Sequence, residues 1–142
     1  MDVALGLFAF WPALALGSFL NVVAARVPLR RSVVRPASAC MSCGHELAWY
    51  DNVPVASWLW LRGRCRSCGT GISARYPAVE LATALLVAAC FVKFGFSGEA
   101  FLAAFFCVVL VVLSAIDLEH RIVPNRIVVP AAVVVQIGRA HV

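Results

Sequence analysis

PAVELATALLVAACFVKFGFSGEAFLAAFFCVVLVVLSAI, residues 77–116, contains two apolar runs, Pro77–Phe94 and Ala100–Ile116, joined by a link of a few residues. Each run is continuously apolar, and its length approaches the ~20 helical residues needed to cross a hydrocarbon core of ~30 Å. In lipid every backbone N–H and C=O must be satisfied internally, which leaves helices or closed barrels, and barrel strands alternate in polarity. The stretch therefore predicts two helices that cross a membrane and return.

The rest of the chain agrees. Of its 142 residues 63% are hydrophobic and only 13% charged, and the mean hydropathy is +0.92. Soluble domains carry roughly 25% charged residues, so a soluble globular protein is excluded. Upstream, Val3–Ala25 is a third long apolar run, broken only by Trp11-Pro12. A secretory signal would place basic residues before its core and a cleavage site after it. Here Asp2 precedes the core and the basic residues follow, which predicts an uncleaved helix. Downstream, a fourth apolar run from Ile127 to about Val135 is too short to span. The polar Ile137–Val142 does not continue it and reads as a non-native tail. The expected fold is an all-α integral membrane protein: a polytopic helical bundle with three full helices, a truncated fourth and a small loop domain.

Charge sets the expected orientation. Arg26, Arg30, Arg31, Arg35, Arg62, Arg64, Arg66 and Arg75 lie between the first and second runs, opposed only by Glu46 and Asp51. In the next link Lys93 and Glu99 cancel. The positive-inside rule puts the long loop in the cytoplasm, the N-terminus on the opposite side, and the segment after Asp117 back on the cytoplasmic side. The net charge of +5 is then a topology signal, and no nucleic-acid partner is expected.

The loop Val27–Tyr76 carries CMSCGH and CRSC, hence two C-x-x-C pairs: Cys40 with Cys43, and Cys65 with Cys68. Two such knuckles can converge into a tetrahedron of thiolates suited to Zn²⁺. Gly44 and Gly69 each follow the second cysteine of a pair, where a tight turn would let backbone N–H groups point at sulfur. Two disulfides are the competing reading, disfavoured in a reducing cytoplasm. Four protein thiolates leave no open coordination position, so the expected zinc is structural. Cys90 and Cys107 read as small core residues, and His45 as a solvated side chain. Trp49, Tyr50, Trp58, Trp60 and Tyr76 suit either the headgroup region or the core of the small domain.

Three membrane positions stand out. Gly17, Ser18 and Asn21 share one side of the first helix, for packing and interhelical hydrogen bonding or for a site. Pro77 suits a first helical position, which puts Glu80 in the first turn, where the helix dipole favours a carboxylate. An ionisable side chain at membrane depth is equally a functional candidate. Asp117 ends a helix, where a carboxylate is unfavourable, and Pro124 soon turns the chain back toward the membrane.

These strings resemble one family, the prepilin peptidases or type IV leader peptidases. GSFLNVVAARVP, CMSCGHELAWYDNVPVASWLWLRGRCRSC, ISARYPAVE and DLEHRIVPN follow one another over residues 16–126. The resemblance implies an inner-membrane aspartic endopeptidase that clips the leader of type IV prepilins and pseudopilins on the cytoplasmic side. In many members it also implies N-methylation of the new N-terminus with S-adenosylmethionine. Asp117 matches the first catalytic aspartate; the second belongs to a Gly-x-Gly-Asp motif that this sequence does not contain. Gly63 matches a position linked to methylation, although a glycine in RGRC also suits a plain turn.

The implied organisation is a first transmembrane helix (1–26), a cytoplasmic four-cysteine domain (27–76), the start of the peptidase domain (77–136) and the tail (137–142). A chain with one catalytic aspartate is expected to be inactive alone. The competing function is a non-catalytic, membrane-anchored zinc scaffold. A metalloprotease is disfavoured, because there is no His-Glu-x-x-His and the cysteines saturate the metal site.

Overall fold

The computed structural model describes residues 2–141. Its helices are α1 (Asp2–Arg26), the short α2 (Ala56–Trp60), α3 (Arg75–Phe94), α4 (Gly98–His120) and α5 (Asn125–His141), with a 3₁₀ turn at Trp49–Asn52. Among the described residues α1, α3 and α4 are long and apolar enough to cross a membrane. Their 25, 20 and 23 residues span about 37, 30 and 35 Å at 1.5 Å per residue. Architecture and class are those expected: all-helical, with a four-cysteine cluster between the first two spans.

Helices α1 and α3 pack antiparallel. Gly6 lies against Val92 and Ala88, and Gly17 against Glu80 and Thr83. The approach is close because α1 offers small residues. A Cβ on Gly17 would sit 2.6 Å from the Glu80 Cα, nearer than any side chain tolerates. Between lipid-immersed helices, such fit replaces the hydrophobic effect as the driving force. The buried face of α3 is Val79, Glu80, Thr83, Ala84, Val87, Cys90 and Phe91, the i, i+3, i+4, i+7 stripe of one helix face. Cys90 belongs to the core, as expected. Outward faces stay apolar, with Phe8, Trp11, Leu85, Phe106 and Leu110 exposed.

Ser97 caps α4, its Oγ accepting from the Ala100 N–H. The helix ends where Arg121 takes a left-handed conformation (φ 52°) and donates its N–H to the Asp117 carbonyl. Asp117 therefore lies within the last turn of α4 and not at its terminus. Helix α5 returns along α4, with Ile127 beside the Val112–Ala115–Ile116 cluster and Gly138 against Leu102. It begins before Ile127 and continues through Gln136 and Arg139 to His141. The tail loses the apolar pattern but contains residues that favour helix.

At one end of the bundle the Arg75 guanidinium pairs with Glu119 at 3.0 Å, tying the start of α3 to the end of α4. The cysteine module and Asp117 thus occupy the same end.

Gly17→Leu is expected to lower stability by about 1–3 kcal/mol through overpacking against α3. Ala82→Leu, on the exposed side of α3, should change it by less than about 0.5 kcal/mol. Thermal unfolding in detergent would compare the two.

Candidate metal centre and the cleft beside it

The four-cysteine module is the same short device used twice. In each knuckle the first cysteine donates its N–H across the turn, Cys40 to the His45 carbonyl (2.9 Å) and Cys65 to the Thr70 carbonyl (2.8 Å). Single antiparallel bridges, Ala39 with Glu46 and Arg64 with Gly71, flank the turns. Gly44 and Gly69 have φ of 72° and 70°, a conformation that costs glycine little. Their N–H groups close the turns on the Cys40 and Cys65 carbonyls, both at 3.0 Å. The amides directed at sulfur are those of Ser42 and Cys43 for Cys40, His45 for Cys43, and Thr70 for Cys68.

The two knuckles bring Cys40 Sγ to 3.7 Å from Cys68 Sγ and Cys43 Sγ to 3.9 Å from Cys65 Sγ. All four sulfurs lie within 4.8 Å of one another. A tetrahedron with Zn–S bonds of ~2.3 Å has S···S edges of about 3.8 Å, so the set has the dimensions of a metal cage. The thiols are free rather than paired in disulfides. Their environments differ. The Thr70 hydroxyl, 3.1 Å from Cys68 Sγ, and the Thr70 amide pull the Cys68 thiol down to about 6. The His45 amide lowers Cys43, but desolvation and the neighbouring sulfurs outweigh it and push that thiol up to about 11.

Trp58 is half-buried, its indole N–H donating to the Ile72 carbonyl at 3.1 Å, while Trp49 and Trp60 are exposed. Gly63 has φ 67°, and a Cβ there would lie 2.8 Å from the Trp58 ring. Asp51 is a buried carboxylate that sequence reading did not single out. Arg66 donates to its Oδ1 through Nε (2.9 Å) and approaches it through Nη2 (2.8 Å), leaving Oδ2 buried without a partner. Asp51 lies in the 3₁₀ turn Trp49–Asn52 and Arg66 in the second knuckle, so the pair joins two separate turns of the loop.

Between this module and the ends of α1 and α3 lies a cleft of about 470 Å³, lined by Ser18, Asn21, Asp51, Trp58, Tyr76 and Glu80 among others. Helix α3 begins at Arg75, so Pro77 is its third residue and Glu80 lies in the second turn. The dipole argument for Glu80 therefore falls away. Its Oε2 instead accepts the Val55 N–H at 2.7 Å, and the side chain is buried. Asn21 is also buried and donates to the Tyr76 carbonyl at 3.0 Å. Asp117 is exposed, one residue beyond the fully buried Ile116, and is not among the residues lining the cleft.

The bacterial peptidase A24 N-terminal domain matches residues 12–94. The prepilin leader peptidase/N-methyltransferase of Myxococcus xanthus is 55% identical over 123 residues, covering 87% of this chain and 37% of that protein. The protein of the same description from Bacillus subtilis is 41% identical, covering 87% of this chain and 49% of its own length. That of Burkholderia pseudomallei (strain 1026b) is 39% identical, covering 87% and 48%. The chain thus spans between about a third and a half of the length of these relatives. No solved structure matches it. On residues 12–94 and on these relatives, the chain belongs to the prepilin leader peptidase/N-methyltransferase family.

Proposed function

We propose that this chain is the N-terminal portion of a membrane aspartic endopeptidase that removes the leader of type IV prepilins and pseudopilins and methylates the new N-terminus. The observation that carries the reading is the position of Asp117: exposed, in the last turn of a membrane-length helix, at the same end as the arginine-rich cysteine module. By the positive-inside rule that end faces the cytoplasm of a bacterial inner membrane, with the N-terminus periplasmic. A carboxylate there meets both water and a substrate whose apolar segment lies in the bilayer.

The chemistry needs two carboxyl groups. The ionised one takes a proton from water as the oxygen attacks the scissile carbonyl, and the protonated one hydrogen-bonds the carbonyl oxygen. Collapse breaks the C–N bond, and the amine leaves with a proton. Two carboxyls in one site titrate as a pair. Asp117 is proposed as one; the family resemblance puts the other in a Gly-x-Gly-Asp segment outside this chain.

Cys40, Cys43, Cys65 and Cys68 are proposed to hold a structural Zn²⁺ that supplies folding free energy to a module with little apolar core. In methylation the lone pair of the deprotonated N-terminal amine forms the N–C bond. The donor's C–S bond breaks with its electrons going to sulfur, and the nitrogen gives up its remaining excess proton to solvent. S-adenosylmethionine is the proposed donor. Gly63 bears on this step through Trp58, whose ring a side chain at 63 would displace.

In the full-length protein, Asp117→Asn is expected to reduce prepilin cleavage by at least about a thousandfold, measured by the mass shift of a prepilin in detergent. Cleavage at the wild-type rate would leave the scaffold reading in its place. In the metal-free protein Cys68 should alkylate at pH 7, where a thiol of pKa about 6 is about nine-tenths thiolate, while Cys43 should not. Loading one zinc per chain should protect all four cysteines, as read by mass spectrometry.

A further inference from the structure

The loop between α1 and α3 does not stay at the end of the bundle. Two buried clusters fill the helices. Leu20, Ala24, Val79, Val112, Ala115 and Ile116 form the one at the module's end, and a deeper one includes Leu14 and Ala84. Val55 packs against the deeper cluster and not the nearer. Ala84 lies nine residues inside Arg75 along α3, about 13 Å at 1.5 Å per residue. Leu14 lies twelve residues inside Arg26 along α1, about 18 Å. The Val55 amide itself meets Glu80, five residues inside Arg75, about 8 Å. Arginines mark the polar edge of a membrane helix on this side, so the loop descends roughly 10 Å past that edge.

The descending stretch suits that depth. VPVASWLW, Val53–Trp60, has no charged residue. Lipid cannot satisfy a backbone N–H, and here the amides of Val55, Ala56, Ser57, Leu59 and Leu61 all donate within the protein. The Ser57 hydroxyl donates to the Val53 carbonyl at 2.6 Å and the Trp58 indole to Ile72, so both polar side chains are satisfied inside. Val55 holds φ 59°, strained for a β-branched residue and fixed by the Glu80 carboxylate. The outward stripe is apolar. Val53, Ala56 and Trp60 are exposed at helical spacing, with Leu59 beside them. The 3₁₀ turn packs on α2 and adds Trp49, as exposed as Trp60 at 81%. Arg62 and Arg64 follow. Both are exposed and have no ion-pair partner among the described residues, whereas Arg66 and Arg75 are paired.

We propose that Val53–Trp60 is a re-entrant segment inserted into the leaflet on the module's side. Val53 and Leu59 lie against acyl chains, Trp49 and Trp60 at the glycerol level, and Arg62 and Arg64 on the phosphates of anionic lipids. Tryptophan is favoured at that level, and each arginine near an anionic surface adds attraction. The occupant is lipid because the stripe reaches hydrocarbon depth and ends in two cations that lack a protein counter-charge. The proposal goes beyond the peptidase reading and holds whichever reaction the protein performs. The cysteine module is then moored to the bilayer as well as to α1 and α3.

The test places p-benzoylphenylalanine, in turn, at positions 59, 60 and 41 of the full-length, zinc-loaded protein in vesicles of phosphatidylethanolamine and phosphatidylglycerol. Met41, 95% exposed on the first knuckle, is the water-facing control. After irradiation, mass spectrometry should find lipid adducts at 59 and 60 at least about tenfold above those at 41. Among them phosphatidylglycerol should exceed its share of the bilayer about threefold or more, and Arg62→Gln with Arg64→Gln should remove that excess. Zinc content and helicity report folding, and position 59 decides if the variant at 60 does not fold. Adducts at 59 and 60 only to polypeptide, whether the rest of the chain or added prepilin, overturn the lipid assignment. Labelling no greater than at 41 overturns it too. Lipid adducts without headgroup preference overturn the arginine contact.

Discussion

The contact on which the arrangement depends is the 2.7 Å hydrogen bond from the Val55 amide to the Glu80 carboxylate. It joins a small polar module to a membrane bundle, alongside the packing of Val55 on the bundle core and the hold of Arg26 on the Ser32 and Pro36 carbonyls. The bond requires Glu80 to be buried beside α1, and that requires α1 to come within touching distance of the Glu80 backbone. Gly17 provides the space. An unpaired carboxylate at this depth would cost several kcal/mol in desolvation, so the Val55 amide and the side chain stabilise each other. Two elements far apart in sequence are fixed relative to one another by a glycine, an acid and a strained amide.

The module on the other side of that bond has few apolar contacts of its own. Cys65 is its only cysteine buried below a tenth of its surface, and much of the surrounding loop is exposed. Chains of this size rarely stand on a hydrophobic core alone. The two knuckles therefore carry the architecture: each turn aims amide N–H groups at sulfur, which stabilises thiolate, and thiolate is what a metal binds. The duplication places the four sulfurs in one cluster, and the second knuckle carries Arg66, which pairs with Asp51 of the 3₁₀ turn. The walls of the cleft consequently depend on the same closure that gathers the cysteines.

What the sequence disclosed was whatever depends on local pattern. Continuous apolar runs gave the three spans, and C-x-x-C spacing gave the sulfur cluster, because helix length and knuckle geometry are short-range properties. Element edges were less legible. Helix α3 starts at Arg75 rather than at Pro77, since the first three N–H groups of a helix need no internal partner and proline is tolerated at the third position as well as the first. That small shift moved Glu80 out of the dipole's reach and changed the reason for its presence. The pairings of Asp51 with Arg66 and of Glu80 with Val55 join residues with no shared periodicity. Each carboxylate was visible in the sequence only as a charge.

The placement of charge bears on how the proposed cleavage and methylation could share one protein. Arg75 pairs with Glu119, two residues beyond Asp117, and Arg75 also stacks over Tyr76 at the edge of the cleft. One side chain thus touches both the turn that carries Asp117 and a residue that borders the cleft. On the proposed reading, a substrate cut near Asp117 would release its new amine at this end of the bundle, where a methyl group would have to be delivered. At this end α3 and α4 are joined by an ion pair and a buried apolar cluster, so the turn carrying Asp117 is fixed relative to the start of α3. A processed N-terminus anchored in the bilayer by its apolar segment would then have to move only along the protein surface, which favours successive reactions without release into solvent.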